Sequence, residues 1–189
     1  SKGAKTLAVS NVIGSSITRE ADYTIYTHAG PEIAVASTKA YTSQVVLLSI
    51  LAMYFAEILE INLNIVEELK TEMFKLSEKI EETLENCCDA VKNLSKEIYT
   101  QKDMFFLGRG IDYNVALEGS LKLKEISYIH SEAYAAGELK HGPIALIEDG
   151  ITVISILTDE SLMEKSISNI QEVITRGAKT IIVTNLELP

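Results

Sequence analysis

The sequence has no tryptophan, only three prolines and only two cysteines in 189 residues. The cysteines, Cys87 and Cys88, are adjacent, and that spacing suits neither a metal site nor a disulfide framework. We therefore expect reduced thiols, as in a cytoplasmic protein, and no metal or redox cofactor. Basic residues are also scarce, 17 against 27 acidic ones, for a formal net charge of -10 at pH 7. This balance disfavours nucleic acid or an anionic lipid surface as a partner.

Long hydrophobic runs are missing as well. No apolar run of about 18 residues is free of charge. The longest candidate, residues 45–58, is interrupted by Glu57. No signal peptide opens the chain, so we expect no membrane association. With 47% hydrophobic and 23% charged residues, the composition is typical of one large or two small globular domains.

An internal repeat is the clearest sign of domain organisation. The segment Gly-Ala-Lys-Thr-Leu-Ala-Val-Ser-Asn at residues 3–11 returns as Gly-Ala-Lys-Thr-Ile-Ile-Val-Thr-Asn at residues 177–185. This offset is far too long for a solenoid and indicates duplication of a whole domain. Each copy places a short apolar strand after a glycine, which is typical of a parallel α/β sheet. We predict a fragment that holds the C-terminal half of one domain and the N-terminal half of the next.

Local patterns predict the elements of these halves. β-branched and aromatic residues predict strands at residues 6–10, 23–27, 104–107 and 151–157. A long buried helix is predicted over residues 41–59, and amphipathic helix over residues 62–100. The predicted domains are the C-terminal half of the first over residues 1–61, connecting helices over 62–100, and the N-terminal half of the second over 101–189.

A helix predicted over residues 115–129 carries the most informative side chains. At about 100° per residue, Glu118, Lys122 and Glu125 fall within about 60° of one another, between two apolar faces. We expect this helix to be buried all round except where it opens onto a cleft. The strip is either a solvated face with ordinary salt bridges or a proton shuttle acting on adjacent carbons of a sugar. His141, in a nearby turn, adds a group that titrates near neutrality.

Several ordered motifs are distinctive. They are Leu107-Gly108-Arg109-Gly110, Ala116-Leu117-Glu118-Gly119, Lys122-Leu123-Lys124-Glu125-Ile126-Ser127-Tyr128, Glu138-Leu139-Lys140-His141-Gly142-Pro143 and Ala29-Gly30-Pro31-Glu32-Ile33-Ala34-Val35-Ala36-Ser37-Thr38-Lys39-Ala40. With these motifs the chain closely resembles the isomerase portion of glucosamine-6-phosphate synthases, which consists of two sugar isomerase (SIS) domains. The similarity runs along essentially the whole chain. It implies an α/β fold of the SIS type, three-layer αβα with parallel sheets, here the C-terminal half of one domain and the N-terminal half of the next.

The resemblance also implies a function. These enzymes are glutamine:fructose-6-phosphate amidotransferases, which condense fructose 6-phosphate with glutamine-derived ammonia and isomerise the product to glucosamine 6-phosphate. By resemblance, Glu125 is the base that carries a proton between C1 and C2, and Lys122 orients or neutralises it and assists at a sugar oxygen. His141 helps to open the sugar ring and reaches the site of a neighbouring subunit, which implies a homodimer. Glu118 is expected to be a structural partner of Lys122. The implied partners are the sugar phosphate and a glutaminase domain of the same full-length chain.

Two loops bear on substrate binding. Ser37 and its neighbour Thr38 precede a helix, where they could simply cap it, whereas the resemblance implies that Val35 and Ser37 contact the sugar. In the family that the chain resembles, the matching loop of the first domain cradles the sugar phosphate. Here the loop after the strand at residues 151–157 has no glycine and carries Asp159 and Glu160 where that phosphate would sit. We therefore predict no phosphate site in the second domain. The phosphate loop would precede this chain, so the fragment alone is expected to be inactive.

Two other functions stay open at this point. One is a related SIS enzyme that releases ammonia, such as a fructosamine-phosphate deglycase or deaminase. The other is a non-catalytic regulator that senses a sugar phosphate. The combination of Lys122, Glu125 and His141 argues against a regulator, because binding alone does not require a base.

Overall fold

Parallel strands joined by helical crossovers make up the computed structural model, which describes residues 2–188. The predicted α/β class with parallel sheets is confirmed. The chain divides into two units, the first ending at Cys88 and the second beginning at Asp89. The predicted domain boundaries, which place the connecting helices at residues 62–100, stay a prediction.

The first unit contains a two-stranded parallel sheet and a series of helices. Its elements are β1 (Leu7–Ser10), α1 (Ser16–Glu20), β2 (Tyr23–Tyr26), α2 (Lys39–Ile58), α3 (Leu63–Phe74) and the first part of α4 (Leu76–Ile98). Asp22 joins the two strands at their start, because its carboxylate accepts hydrogen bonds from the backbone N–H and the hydroxyl of Thr6, both at 2.9 Å. The hydrogen bonds to Thr6 lower the pKa of Asp22.

The long apolar helix of this unit differs from its prediction. α2 covers nearly the predicted residues, but Met53 is its only buried side chain. The prediction of a buried helix is therefore wrong for the described chain, because α3 is the main element that packs along α2 and leaves most of its side chains at least partly exposed. By length and composition, α2 is the one helix among residues 2–188 that is long and apolar enough to cross a membrane. The sequence criterion missed it because its acidic residue, Glu57, stands next to its C-terminal end.

The amphipathic segment after α2 is two helices, not one. α3 ends at Phe74 and α4 begins at Leu76, with Lys75 between them. The apolar residues of α4 recur at helical spacing, as predicted, yet none of its side chains is buried. Ion pairs join the two helices across this break, because Glu72 of α3 contacts Lys75 at 2.8 Å and Lys79 of α4 at 2.5 Å.

The second unit is built on a four-stranded parallel sheet. Its elements are β3 (Asp103–Gly108), α5 (Ile111–Ser127), β4 (His130–Ala135), β5 (Thr152–Leu157), α6 (Met163–Thr175) and β6 (Lys179–Thr184), with short 3₁₀ helices at Ala136–His141, Pro143–Leu146 and Glu160–Leu162. The strand order is β4-β3-β5-β6. Phe105, Leu107, Val153 and Val173 lie in its core. From β3 the chain adds β4 on one side and then crosses back to add β5 on the other, so the strand order changes direction between β3 and β5. In open α/β sheets, ligands bind at the carboxyl ends of the strands at such a switch point.

Candidate functional site

The length of the helix that carries the predicted charged strip is set by the residues at its two ends. α5 spans Ile111–Ser127, so it begins four residues earlier and ends two residues earlier than the segment 115–129 predicted from sequence. Gly110 precedes it with a φ of 56°, and Tyr128 ends it in the left-handed conformation. Ala116 and Ser120 are buried on its inner face. These contacts fix the rotation of α5 and therefore the direction of the strip.

The three ionisable side chains of the strip form one ion-pair chain. The Nζ atom of Lys122 lies 2.6 Å from Oε2 of Glu125 and 3.5 Å from Oε1 of Glu118. The side chains are 19% exposed for Lys122, 27% for Glu125 and 22% for Glu118, so they are half-buried and do not extend into open solvent. The hydrogen bond from Lys122 to Glu125 raises the pKa of the ammonium, and the charge of Glu118 adds to this effect. Lys122 therefore stays protonated and positively charged at neutral pH.

The surroundings of the strip differ from the expectation. The apolar side chains of α5 beside the strip are exposed, among them Leu121 at 42%, Ile126 at 67% and, just after the helix, Tyr128 at 92%. The prediction of a helix buried all round is therefore wrong for the described chain, because β3 and β4 cover only one face of α5. Within residues 2–188, the larger cavities of the two units are lined by other side chains.

His141 is the last residue of the 3₁₀ helix Ala136–His141, which we call the His141 turn. Ala136 and Leu139 are buried and hold this turn on the core, whereas His141 itself is exposed. Gly142 follows with a φ of 151°, a conformation that favours glycine, and Pro143 begins the next 3₁₀ helix. Within the described chain, His141 makes no hydrogen bond to Lys122 or Glu125. The structure thus places the three residues in one unit without joining the imidazole to the ion pair.

The predicted sugar-contacting residues, Val35 and Ser37, lie in the first unit. Val35 is 89% exposed. The hydroxyl of Ser37 donates a hydrogen bond to Oε2 of Glu32 at 3.4 Å, and the backbone N–H of Ala40 donates to the same oxygen at 3.3 Å. Glu32 therefore supports the first turn of α2, a role for which the sequence suggested Ser37 or Thr38. A carboxylate near a helix N-terminus is also favoured by the helix dipole.

Between β3 and β5, where the strand order changes direction, a buried carboxylate joins the start of α5 to the loop after β5. Asp112, in the first turn of α5, is 3% exposed. It accepts hydrogen bonds from the backbone N–H of Thr158 at 2.9 Å and from its hydroxyl at 2.5 Å, directly after β5. Gly108 allows this close approach, since a Cβ there would lie 2.4 Å from the backbone of Asp112. The absence of a phosphate site in the second unit stays a prediction.

A buried contact that the sequence did not reveal lies next to the His141 turn. Arg109, after β3, donates hydrogen bonds from Nε at 3.1 Å and from Nη2 at 2.9 Å to Oδ1 of Asn169 on α6. Arg109 and Asn169 are 60 residues apart. No local pattern could have paired them, and only the turn motif around Arg109 drew attention to this position.

Comparisons with known proteins identify the family. A family model described as SIS domain matches residues 1–54 and 97–188. The glutamine–fructose-6-phosphate aminotransferase (isomerizing) of Clostridium tetani is 64% identical over 181 residues, which are 95% of this chain and 30% of that protein. The protein of the same name from Clostridium perfringens is 60% identical, with the same coverage of 95% and 30%.

A solved structure agrees with these sequence relatives. The C-terminal domain of glucosamine-fructose-6-phosphate aminotransferase from Francisella tularensis superposes with a TM-score of 0.89 at 38% identity. The match covers 94% of this chain and 50% of that one. The chain thus spans about 30% of the length of the curated relatives it matches. The family predicted from the sequence motifs is confirmed: the chain belongs to the SIS domain family.

Proposed function

We propose that this chain is the central part of the isomerase portion of a glutamine–fructose-6-phosphate aminotransferase. The full-length protein would convert fructose 6-phosphate and glutamine-derived ammonia to glucosamine 6-phosphate, for amino sugar biosynthesis. Two findings support the proposal: the 64% identity to a relative of that name and the ion pair of Lys122 with Glu125 at 2.6 Å. The ion pair carries the chemical argument, because it places a protonated amine beside a carboxylate on one helix face.

The two members of this pair suit the two demands of the isomerisation. Moving the double bond from C2 to C1 requires removal of the C1 proton and delivery of a proton to C2. Glu125 would take the first proton and return it, a task that typically contributes about 10²- to 10⁴-fold in rate. Lys122 has a raised pKa and stays charged. It would therefore stabilise negative charge that develops on the sugar oxygen while the proton is on Glu125.

The remaining predicted residues and partners belong to the same proposal. His141 would open the sugar ring, and its exposed position at the end of a turn suits a contact with the site of a neighbouring subunit in a homodimer. Val35 and Ser37 would contact the sugar. A glutaminase domain of the same chain would supply ammonia. We place the protein in the cytoplasm, without a metal or redox cofactor, and we expect the fragment alone to be inactive.

The related alternatives have less support. An SIS deglycase or deaminase would use the same fold and the same base, but the relatives with 64% and 60% identity are named aminotransferases. A glutaminase domain with an N-terminal cysteine, encoded upstream, would distinguish the aminotransferase from an ammonia-releasing enzyme. A regulator that only binds sugar phosphate would not require the pair of Lys122 and Glu125.

The decisive experiment changes the base alone. In the full-length protein, Glu125→Gln is expected to leave fructose 6-phosphate binding nearly intact and to lower isomerisation by at least about 10²-fold. NMR of the C1 proton exchanging with solvent measures the step directly. Glu118→Gln is the matched control and should retain most of the exchange, since Glu118 lies farther from Lys122. Exchange at the normal rate in Glu125→Gln would show that Glu125 is not the base.

A further inference from the structure

The His141 turn is held from two directions. From below, Leu139 and Ala136 are buried in the core of the second unit, at 0% and 4% exposure. From the side, Gly137 lies against the guanidinium group of Arg109. A Cβ at residue 137 would lie 3.0 Å from Nη2 of Arg109 and 3.5 Å from Cζ. A side chain at residue 137 would therefore crowd the guanidinium group.

Arg109 is itself held in one orientation. Two of its donors, Nε and Nη2, share Oδ1 of Asn169 at 3.1 and 2.9 Å. Asn169 is 3% exposed, and its amide nitrogen donates to Glu172 at 3.4 Å. A planar guanidinium bound through two of its N–H groups has little freedom to rotate. Asn169 therefore fixes the surface on which Gly137 rests.

We infer that Arg109 and Asn169 are positioning residues for His141, acting through the backbone of the His141 turn. The inference rests on the proposed function, in which the imidazole opens the sugar ring. His141 ends the turn with its side chain exposed, and within the described chain no hydrogen bond holds its imidazole. The turn therefore sets the backbone position from which the imidazole extends. Buried Ala136 and Leu139 hold the turn against the core, and the guanidinium of Arg109 supports it at Gly137.

Kinetics of the full-length enzyme test this role. Asn169→Ala is expected to lower kcat by about 10- to 100-fold, the usual effect of misplacing a catalytic group by about 1 Å. The KM for fructose 6-phosphate should change by less than about two-fold, because in this proposal the turn positions His141 for ring opening and does not bind the substrate. Asn169→Asp keeps an oxygen acceptor for Arg109 and should restore most of kcat. Ser168→Ala is the matched control on the same helix. Ser168 lines the same surface cavity as Arg109 and Asn169 but makes no hydrogen bond to Arg109 in the described chain, so this variant should behave as wild type.

A double-mutant cycle separates positioning from general damage. If Asn169 acts through His141, then Asn169→Ala in a His141→Ala background should lower kcat no further. A further fall of about ten-fold in that background overturns the inference, because Asn169 would then act elsewhere. Unchanged kcat in Asn169→Ala, with His141→Ala slow, also overturns it and leaves the proposed function standing. A normal rate in His141→Ala overturns the proposed role of His141 and this inference together.

Discussion

Lys122 decides, at the scale of a single residue, how the charged strip of α5 can work. Its ammonium lies between two carboxylates, and the stronger contact is the one to Glu125. Because that hydrogen bond raises the pKa of Lys122, the amine cannot serve as a base near pH 7. The same bond orients the Glu125 carboxylate. Under the proposed function the pair would divide the work, with the amine as the fixed positive charge and the carboxylate as the group that exchanges protons.

Replacing the amine tests this division of roles. Lys122→Met in the full-length enzyme should lower isomerisation by about 10²-fold or more, because the developing negative charge loses its partner. Lys122→Arg retains a positive charge with different geometry and should recover part of the rate. Progress of isomerisation followed by NMR measures both variants. Equal losses in Met and Arg variants would show that the charge is not what Lys122 supplies.

The same residue makes a prediction about pH and stability. A group whose pKa is raised in the folded state stabilises the fold below its unfolded pKa of about 10.4, and the contribution is lost as pH rises through the folded pKa. The stability difference between wild type and Lys122→Met should therefore be constant from about pH 6 to 9 and shrink above about pH 10.5. Urea unfolding at each pH measures it. A difference that already disappears near pH 8 would contradict the raised pKa.

The junction of β3 with α5 shows how one glycine positions a whole element. Gly108 ends the strand, and the backbone of Asp112 in the helix comes so close that a Cβ would lie 2.4 Å away. Backbone atoms cannot move aside as a flexible side chain can. The position of α5, and with it the direction of Lys122 and Glu125, therefore depends on this contact.

Alanine substitutions can show whether the close contact at Gly108, and not the helix propensity of the residue, determines stability at this junction. Gly108→Ala is expected to destabilise the protein by about 1 to 3 kcal/mol, as overpacking typically does. The control is Gly119→Ala, inside α5, where a Cβ would meet the Phe106 side chain at 3.1 Å. There, a gain of about 1 kcal/mol in helix propensity offsets the crowding. Urea midpoints compare the two, and equal midpoints would contradict a special role for Gly108.

Elements that depend on local chemistry were predictable, and contacts between distant segments were not. The predicted strands match β1, β2, β3 and β5 within about two residues, because β-branched and aromatic residues are enriched in strands. The start of α5 was missed by four residues, since Gly110 rather than residue composition sets it. The strip was found by helical spacing alone. Its half-buried state and the contact of Arg109 with Asn169 depend on partners far along the chain.

At the scale of the whole molecule, the two copies of the repeat become strands of two different sheets. The first copy contains β1 and the second contains β6, each in a parallel sheet. In these units α2 and α5 expose apolar side chains that sequence patterns assigned to the interior. The periodicity identified apolar faces, but it could not say whether anything in this chain covers them.

The proposed function predicts that the rest of the full-length protein covers these faces. Leu48 on α2 is 53% exposed here. If α2 is an inner helix of a complete SIS domain, Leu48→Glu should destabilise the full-length protein by about 1 to 3 kcal/mol, because it buries an unpaired charge. In the isolated chain the same substitution should be nearly neutral, since the side chain faces water. Lys92→Glu, on the polar face of α4, is the control and should be nearly neutral in both. Urea midpoints of the two proteins measure the effect. An equal effect of Leu48→Glu in both would mean that the rest of the full-length protein does not bury this face of α2.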